Sequence, residues 1–106
     1  MNILDIRSID NDSKLLIETT NAVYDVTIIN NEDGLIEISG GYKIDKTTTA
    51  MLVGACWKDK RYLYEIRKNM TIEIFYDDNK LRTARVLNVV VYGPDDKWHY
   101  DMEWNK

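Results

Sequence analysis

Residue types able to do chemistry are few in this chain and sit far apart. It has one cysteine, Cys56, and one histidine, His99, so any thiol–imidazole pair must be these two. A nucleophile of that kind needs the imidazole in hydrogen-bond reach and a third group to orient it. Gly54-Ala55-Cys56-Trp57 instead reads as the end of a buried strand, where a free cysteine acts as a small hydrophobe. A serine triad would recruit the same histidine, and the chain has no Gly-x-Ser-x-Gly elbow. The expectation is a protein that is not an enzyme and carries no cofactor.

Metal and phosphate motifs fail on geometry. His99, Asp101 and Glu103 share one face of an alternating strand. Same-face neighbours on a strand are about 6.7 Å apart, so His99 and Glu103 are separated by about 13 Å. Bonds to a small divalent ion are about 2.0–2.6 Å, so all three cannot readily share one ion; two could do so with a partner from a neighbouring strand, but the plainer reading is a solvated face. Gly41-Tyr42-Lys43-Ile44-Asp45-Lys46-Thr47 ends like a phosphate loop. Asp45 stands where the glycine is required and would set a carboxylate against the phosphate. Asp77-Asp78-Asn79 opens like a calcium loop but lacks the glycine and the closing glutamate at their spacings. It is expected to be a hairpin turn.

One constellation has a coherent chemistry. Trp57-Lys58-Asp59-Lys60-Arg61-Tyr62-Leu63-Tyr64 interleaves aromatics with cations, and Arg67 and Lys68 follow. Aromatic faces stack on flat rings and arginines grip phosphate in a bidentate fork. Trp57, Lys58, Lys60, Arg61, Tyr62, Tyr64 and Arg67, joined by Arg82 and Arg85 if their strands adjoin, are therefore the candidate site for a nucleotide-like anion. The plainer alternative is a basic surface segment around a short helix.

These residues must be positioned by a β scaffold. Lys97-Trp98-His99-Tyr100-Asp101-Met102-Glu103-Trp104 alternates polar and apolar without a break, which places Trp98, Tyr100, Met102 and Trp104 on one face of a final strand. Those four are the candidate interface, for a homo-oligomer or another partner, unless the strand closes on its own core. Further strands are expected over Ile3–Ile9, 14–20, 22–30, 35–39, 47–56, 70–76 and 81–92, with a bend at Asn88. In Met70–Tyr76, Met70, Ile72, Ile74 and Tyr76 oppose Thr71, Glu73 and Phe75. Turn signals recur at Asp10–Ser13, Asn30–Gly34, Gly40-Gly41, Asp77–Lys80 and Gly93–Asp96. Tyr62, Leu63 and Ile66 sit at helical spacing, so Lys58–Asn69 is expected to hold one or two helical turns capped by Asp59. The fold class is all-β: one domain over residues 1–106, a small barrel or sandwich of about seven or eight antiparallel strands with at most one short helix.

Charge narrows the partners. Of the 106 residues, 18 are acidic and 14 basic, a net charge of −4. Residues 1–53 hold nine acids and four bases, a net of −5, while residues 54–106 hold nine acids and ten bases, a net of +1. Overall acidity argues against nonspecific DNA binding, which needs many phosphate contacts. The acidic half, with Glu18, Asp25 and Glu37 on expected strands, could dock a basic partner or imitate a phosphate track. No apolar run approaches the ~20 residues of a membrane helix, and no leader pattern opens the sequence, so a cytoplasmic location is expected.

The run Ile17–Tyr24, then Ser39-Gly40-Gly41, Leu52-Val53-Gly54 and Asn69-Met70-Thr71-Ile72-Glu73, with Thr83 and Val86, resembles a small bacterial and phage domain of unassigned function. The resemblance spans roughly residues 3–90, implies a compact β fold, and carries over no activity and no functional residue. The functional expectation is a binding protein acting through a protein partner, of the kind a phage uses to inhibit a host system. The alternative expectation is a sponge for a nucleotide-like ligand.

Overall fold

A computed structural model of the chain describes residues 2–41 and 44–101, and within these the side chains of Asp45, Tyr100 and Asp101 are left aside. The described chain is all-β, with one turn of 3-10 helix at Ile6–Ser8. Its strands are β1 (Ile3–Asp5), β2 (Lys14–Thr19), β3 (Val23–Asn30), β4 (Leu35–Gly40) and β5 (Ile44–Trp57), then β6 (Lys60–Leu63), β7 (Glu65–Arg67) and β8 (Thr71–Tyr76), and finally β9 (Asn79–Arg82), β10 (Val86–Tyr92) and β11 (Trp98–Asp101). All pairings are antiparallel. One sheet runs in the order β11-β10-β2-β3-β4-β5-β8-β9, with β6 added to β5, and a separate two-stranded ribbon joins β1 to β7.

Period-two patterning builds the core. Leu15 and Ile17, Tyr24, Val26 and Ile28, Ile36 and Ile38, Ala50 and Leu52, Ile72 and Ile74, Leu81, Val89 and Val91 all point to the same side of the sheet and join one cluster. The sheet therefore folds over on itself so that its inner surfaces share that cluster. Leu4, Ile6, Ile9 and Ile66 cover it from the ribbon and the 3-10 turn.

The helical turns expected over Lys58–Asn69 are absent; the segment is β6, a sharp corner and β7. Tyr64 adopts φ +60°, which no right-handed helix accommodates, and tertiary bonds hold it there. Its N–H donates to Val53 O at 2.8 Å and its carbonyl accepts from the Ile6 N–H at 2.9 Å. Lys58 (φ +58°) and Asn69 (φ +68°) bound the segment with the same left-handed geometry. The expected first strand stops at Asp5, whose carboxylate accepts from the Arg7 N–H and starts the 3-10 turn. The expected strand over 81–92 is two elements separated at 83–85, with a register shift between Val86 and Asn88 near the expected bend.

β5 positions the rest. Its first half pairs with β4, and its second half pairs with β8 on one edge and β6 on the other. Gly54 sits where three strands meet, opposite both Leu63 and Glu73, at φ +151°. A Cβ there would lie 2.1 Å from Tyr62 O, so only glycine lets β6 close on β5. Gly54→Ala is expected to cost about 2 kcal/mol or more, read as a lowered urea midpoint at unchanged slope. An unchanged midpoint would show that β6 does not depend on this close approach.

Candidate functional site

β8 places Thr71, Glu73 and Phe75 on the outer side of the sheet, opposite to the core-facing Ile72 and Ile74. Register then assembles a surface across four strands. Leu63 of β6, Gly54 of β5, Glu73 of β8 and Arg82 of β9 form one row. Arg61, Cys56 and Thr71 form a second, and Met51, Phe75 and Lys80 a third.

Glu73 is the centre of this surface. An outward glutamate should be solvated, yet only 1% of it is exposed. Oε2 accepts from Arg61 Nη2 at 2.7 Å and from the Cys56 thiol at 3.3 Å, and Oε1 accepts from Lys80 Nζ at 3.0 Å. Gly54 contributes no side chain at the middle of the row, and the carboxylate lies low beneath two long cations. Burial pushes the Glu73 carboxyl up, but the hydrogen bonds from Lys80 and Cys56 and the charges of Arg61 and Lys80 outweigh it and hold the group below its ordinary value. It is ionised at neutral pH.

The cations over it remain half in water, with side-chain exposures of 48% for Arg61 and 47% for Lys80. Around them Leu63 is 56% exposed and Phe75 42%, and Lys80 Nζ lies 5.8 Å from the Phe75 ring. Within the three rows Glu73 is the one carboxylate, and it is hidden. The surface therefore offers solvent positive charge and apolar area together.

The nine residues expected to form one anion site are divided among several places. Arg61 and Arg82 lie on the Glu73 face, Arg82 directly opposite Glu73 in register. Arg67 closes over Tyr62 at 3.6 Å from the ring centre, and its Nε and Nη2 each lie 2.8 Å from Glu65 Oε1. Tyr64 stacks with Arg7 at 4.9 Å. Lys58 occupies the β5–β6 turn. Trp57, with Lys60 opposite it, points the other way from Arg61, and Arg85 comes to 5.9 Å from the Trp57 ring. A shallow depression of about 410 Å³ is lined by Trp57, Lys68, Asn69, Met70 and Arg85. Arg82 and Arg85 thus reach the neighbourhood of the Trp57–Lys68 segment, but on separate surfaces.

Of the expected interface residues, Trp98 is about half exposed opposite Tyr92, while Tyr100 registers with Val91. A bulge at His99 separates them, so the even alternation over the last strand is interrupted there. Met102 and Trp104 lie outside the described residues. The His99 ring rests on Gly93, where a Cβ would come within 2.4 Å of Nε2. Cys56 and His99 share no hydrogen bond, and among the described residues no three His, Cys, Asp or Glu side chains are grouped to hold a metal ion. Glu18, Asp25 and Glu37 fall on one outer face, on adjacent strands β2, β3 and β4 in a diagonal row.

Sequence reasoning missed Glu73, Lys80, Leu63 and Phe75. Alternation correctly puts Glu73 and Phe75 on the polar side of β8, but no local signal marks a buried charge. Among the described residues no helix is long and apolar enough to cross a membrane. No protein-family model, no curated protein and no solved structure matches this chain.

Because the folded state holds Glu73 below its unfolded value, its contribution to stability is complete above the unfolded carboxylate pKa of about 4.3 and is lost as pH falls through the folded value. Glu73→Gln is expected to cost about 1–3 kcal/mol at pH 7 and to flatten the acid limb of the stability profile. Urea unfolding of both forms from pH 7 to pH 3 measures it; parallel profiles would remove Glu73 from this role.

Proposed function

We propose that this is a non-catalytic binding protein that docks an acidic protein partner on the outer face of β6, β5, β8 and β9. The observation that carries the reading is the concealment of Glu73 beneath Arg61 and Lys80, next to exposed Leu63 and Phe75. Protein interfaces concentrate their energy in arginine and aromatic residues at a partly apolar centre. Here the buried carboxylate fixes two cations in place, so less side-chain entropy is lost when a partner arrives. Steering by positive charge would speed encounter with an acidic surface and would weaken with salt. The scaffold beneath is read as an incompletely closed barrel rather than a sandwich, since one continuous sheet lines the core.

The acidic outer face of β2, β3 and β4 has the opposite preference. It carries Glu18, Asp25 and Glu37 with no ion pair to any of them among the described residues. Its apolar groups, exposed Val23 with Leu16 and Tyr92 beside the solvent-exposed Lys14–Asp96 pair, have no buried ion pair to fix charged neighbours in place, so it serves less well as the centre of an interface.

Immobilised wild-type protein and a Leu63→Asp/Phe75→Asp variant, each confirmed folded by circular dichroism, should be exposed to the same lysate at about 0.05 M and 0.5 M salt. The expected result is a partner retained by wild type at low salt, lost from the variant, and cross-linked through Lys80. A partner held equally by both proteins, or cross-linked only elsewhere, would sink the assignment of this face.

A further inference from the structure

On the other side of the β5–β6 hairpin, the open depression of about 410 Å³ is walled by Trp57, Lys68, Asn69, Met70 and Arg85. Lys60 sits opposite Trp57 in the hairpin register and shares its face. Among the described residues no carboxylate lines the depression, and Lys60, Lys68 and Arg85 make no ion pair. Arg61 and Arg67 of the same segment, by contrast, are tied to Glu73 and Glu65.

The aromatic partners differ in the same way. Arg67 covers Tyr62 at 3.6 Å, a closed stack, whereas Arg85 stands 5.9 Å from the Trp57 centre, at the outer limit of cation–π attraction. Trp57 keeps 39% of its surface exposed. The backbone around the depression is fixed: Asn69 N–H donates to Val86 O at 2.8 Å, Val86 N–H to Met70 O at 2.9 Å and Lys68 N–H to Asn2 O at 2.9 Å. An uncovered indole, two unpaired cations on the walls and a third beside them thus stand on a rigid rim.

We infer that this depression binds a small ligand joining a planar ring to phosphate, that is, a nucleotide. The ring stacks on Trp57, and the phosphate bridges Lys68 and Arg85, with Arg85 supplying the bidentate fork. The volume suits one nucleotide, and the net charge of −4 disfavours a long polyanion that would extend over the acidic half. This site uses the opposite side of the hairpin from Leu63 and Phe75, so it stands or falls independently of the docking face.

The test is calorimetric titration of the full chain with the 5′-monophosphates and 5′-triphosphates of adenosine, guanosine, cytidine and uridine. Inorganic phosphate and a short oligothymidylate complete the panel. At least one nucleotide is expected to bind with Kd below about 1 mM, and inorganic phosphate at least about tenfold more weakly. Lys68→Ala, Arg85→Ala and Trp57→Ala should each weaken that nucleotide about fivefold or more, with Trp57→Phe restoring most of the loss. Melting temperatures within a few degrees of wild type confirm that the variants fold. Three results overturn the inference: no nucleotide binding at several millimolar, wild-type affinity in both Lys68→Ala and Arg85→Ala, or oligothymidylate bound more tightly than every nucleotide.

Discussion

The second half of this molecule depends on one backbone approach, the closure of β6 onto β5 at Gly54. β5 is fourteen residues long and exchanges its edge partner from β4 to β6 along its length. Closure at Gly54 turns the chain through Tyr64, which in turn bonds to Val53 and receives the Ile6 N–H. The 3-10 turn, the β1–β7 ribbon and the lid they form over the core are thereby tied to the hairpin. A side chain at Gly54 would separate these parts together, because the obstructing atom is backbone and cannot rotate away.

The same glycine makes room for a buried charge. Glu73 sits beside it on the outer face and exchanges solvation for one guanidinium, one ammonium and one thiol donor. Replacing such a network with apolar groups of similar volume is often neutral or stabilising, whereas breaking it leaves a charge stranded. Its structural effect is orientation: Arg61 and Lys80 are drawn over the carboxylate from strands on either side. Two flexible cations become fixed parts of a surface, flanked by apolar side chains that the sheet leaves uncovered.

The two faces of the β5–β6 hairpin consequently differ in kind. Neighbours in sequence, Cys56 and Trp57, point to opposite sides, as do Arg61 and Lys60. One side holds cations tied to Glu73 among exposed apolar groups; the other holds cations with no ion pair among the described residues, around a part-exposed indole. In the linear sequence these appear as one basic, aromatic segment. The period-two geometry of a strand divides them, and a helix over the same residues would have mixed them differently.

The sequence by itself determined the all-β class, most strand positions, the turns at Asn30–Gly34 and Asp77–Lys80, and which residues of β8 face the core. Each of these is a local property: alternation of apolar residues, or a residue type suited to a turn. Tertiary structure alone decided the left-handed corner at Tyr64, since its bonds come from Val53 and Ile6, and so it decided that Lys58–Asn69 is strand rather than helix. It decided, through the bulge at His99, that Trp98 and Tyr100 register with adjacent residues of β10, Tyr92 and Val91, rather than with residues two apart. It also decided that Glu73 is buried and Asp25 is not, although both stand on outward positions of similar strands. Burial of a charge depends on which cations the register of neighbouring strands brings above it, and that register is a relation between segments distant in sequence.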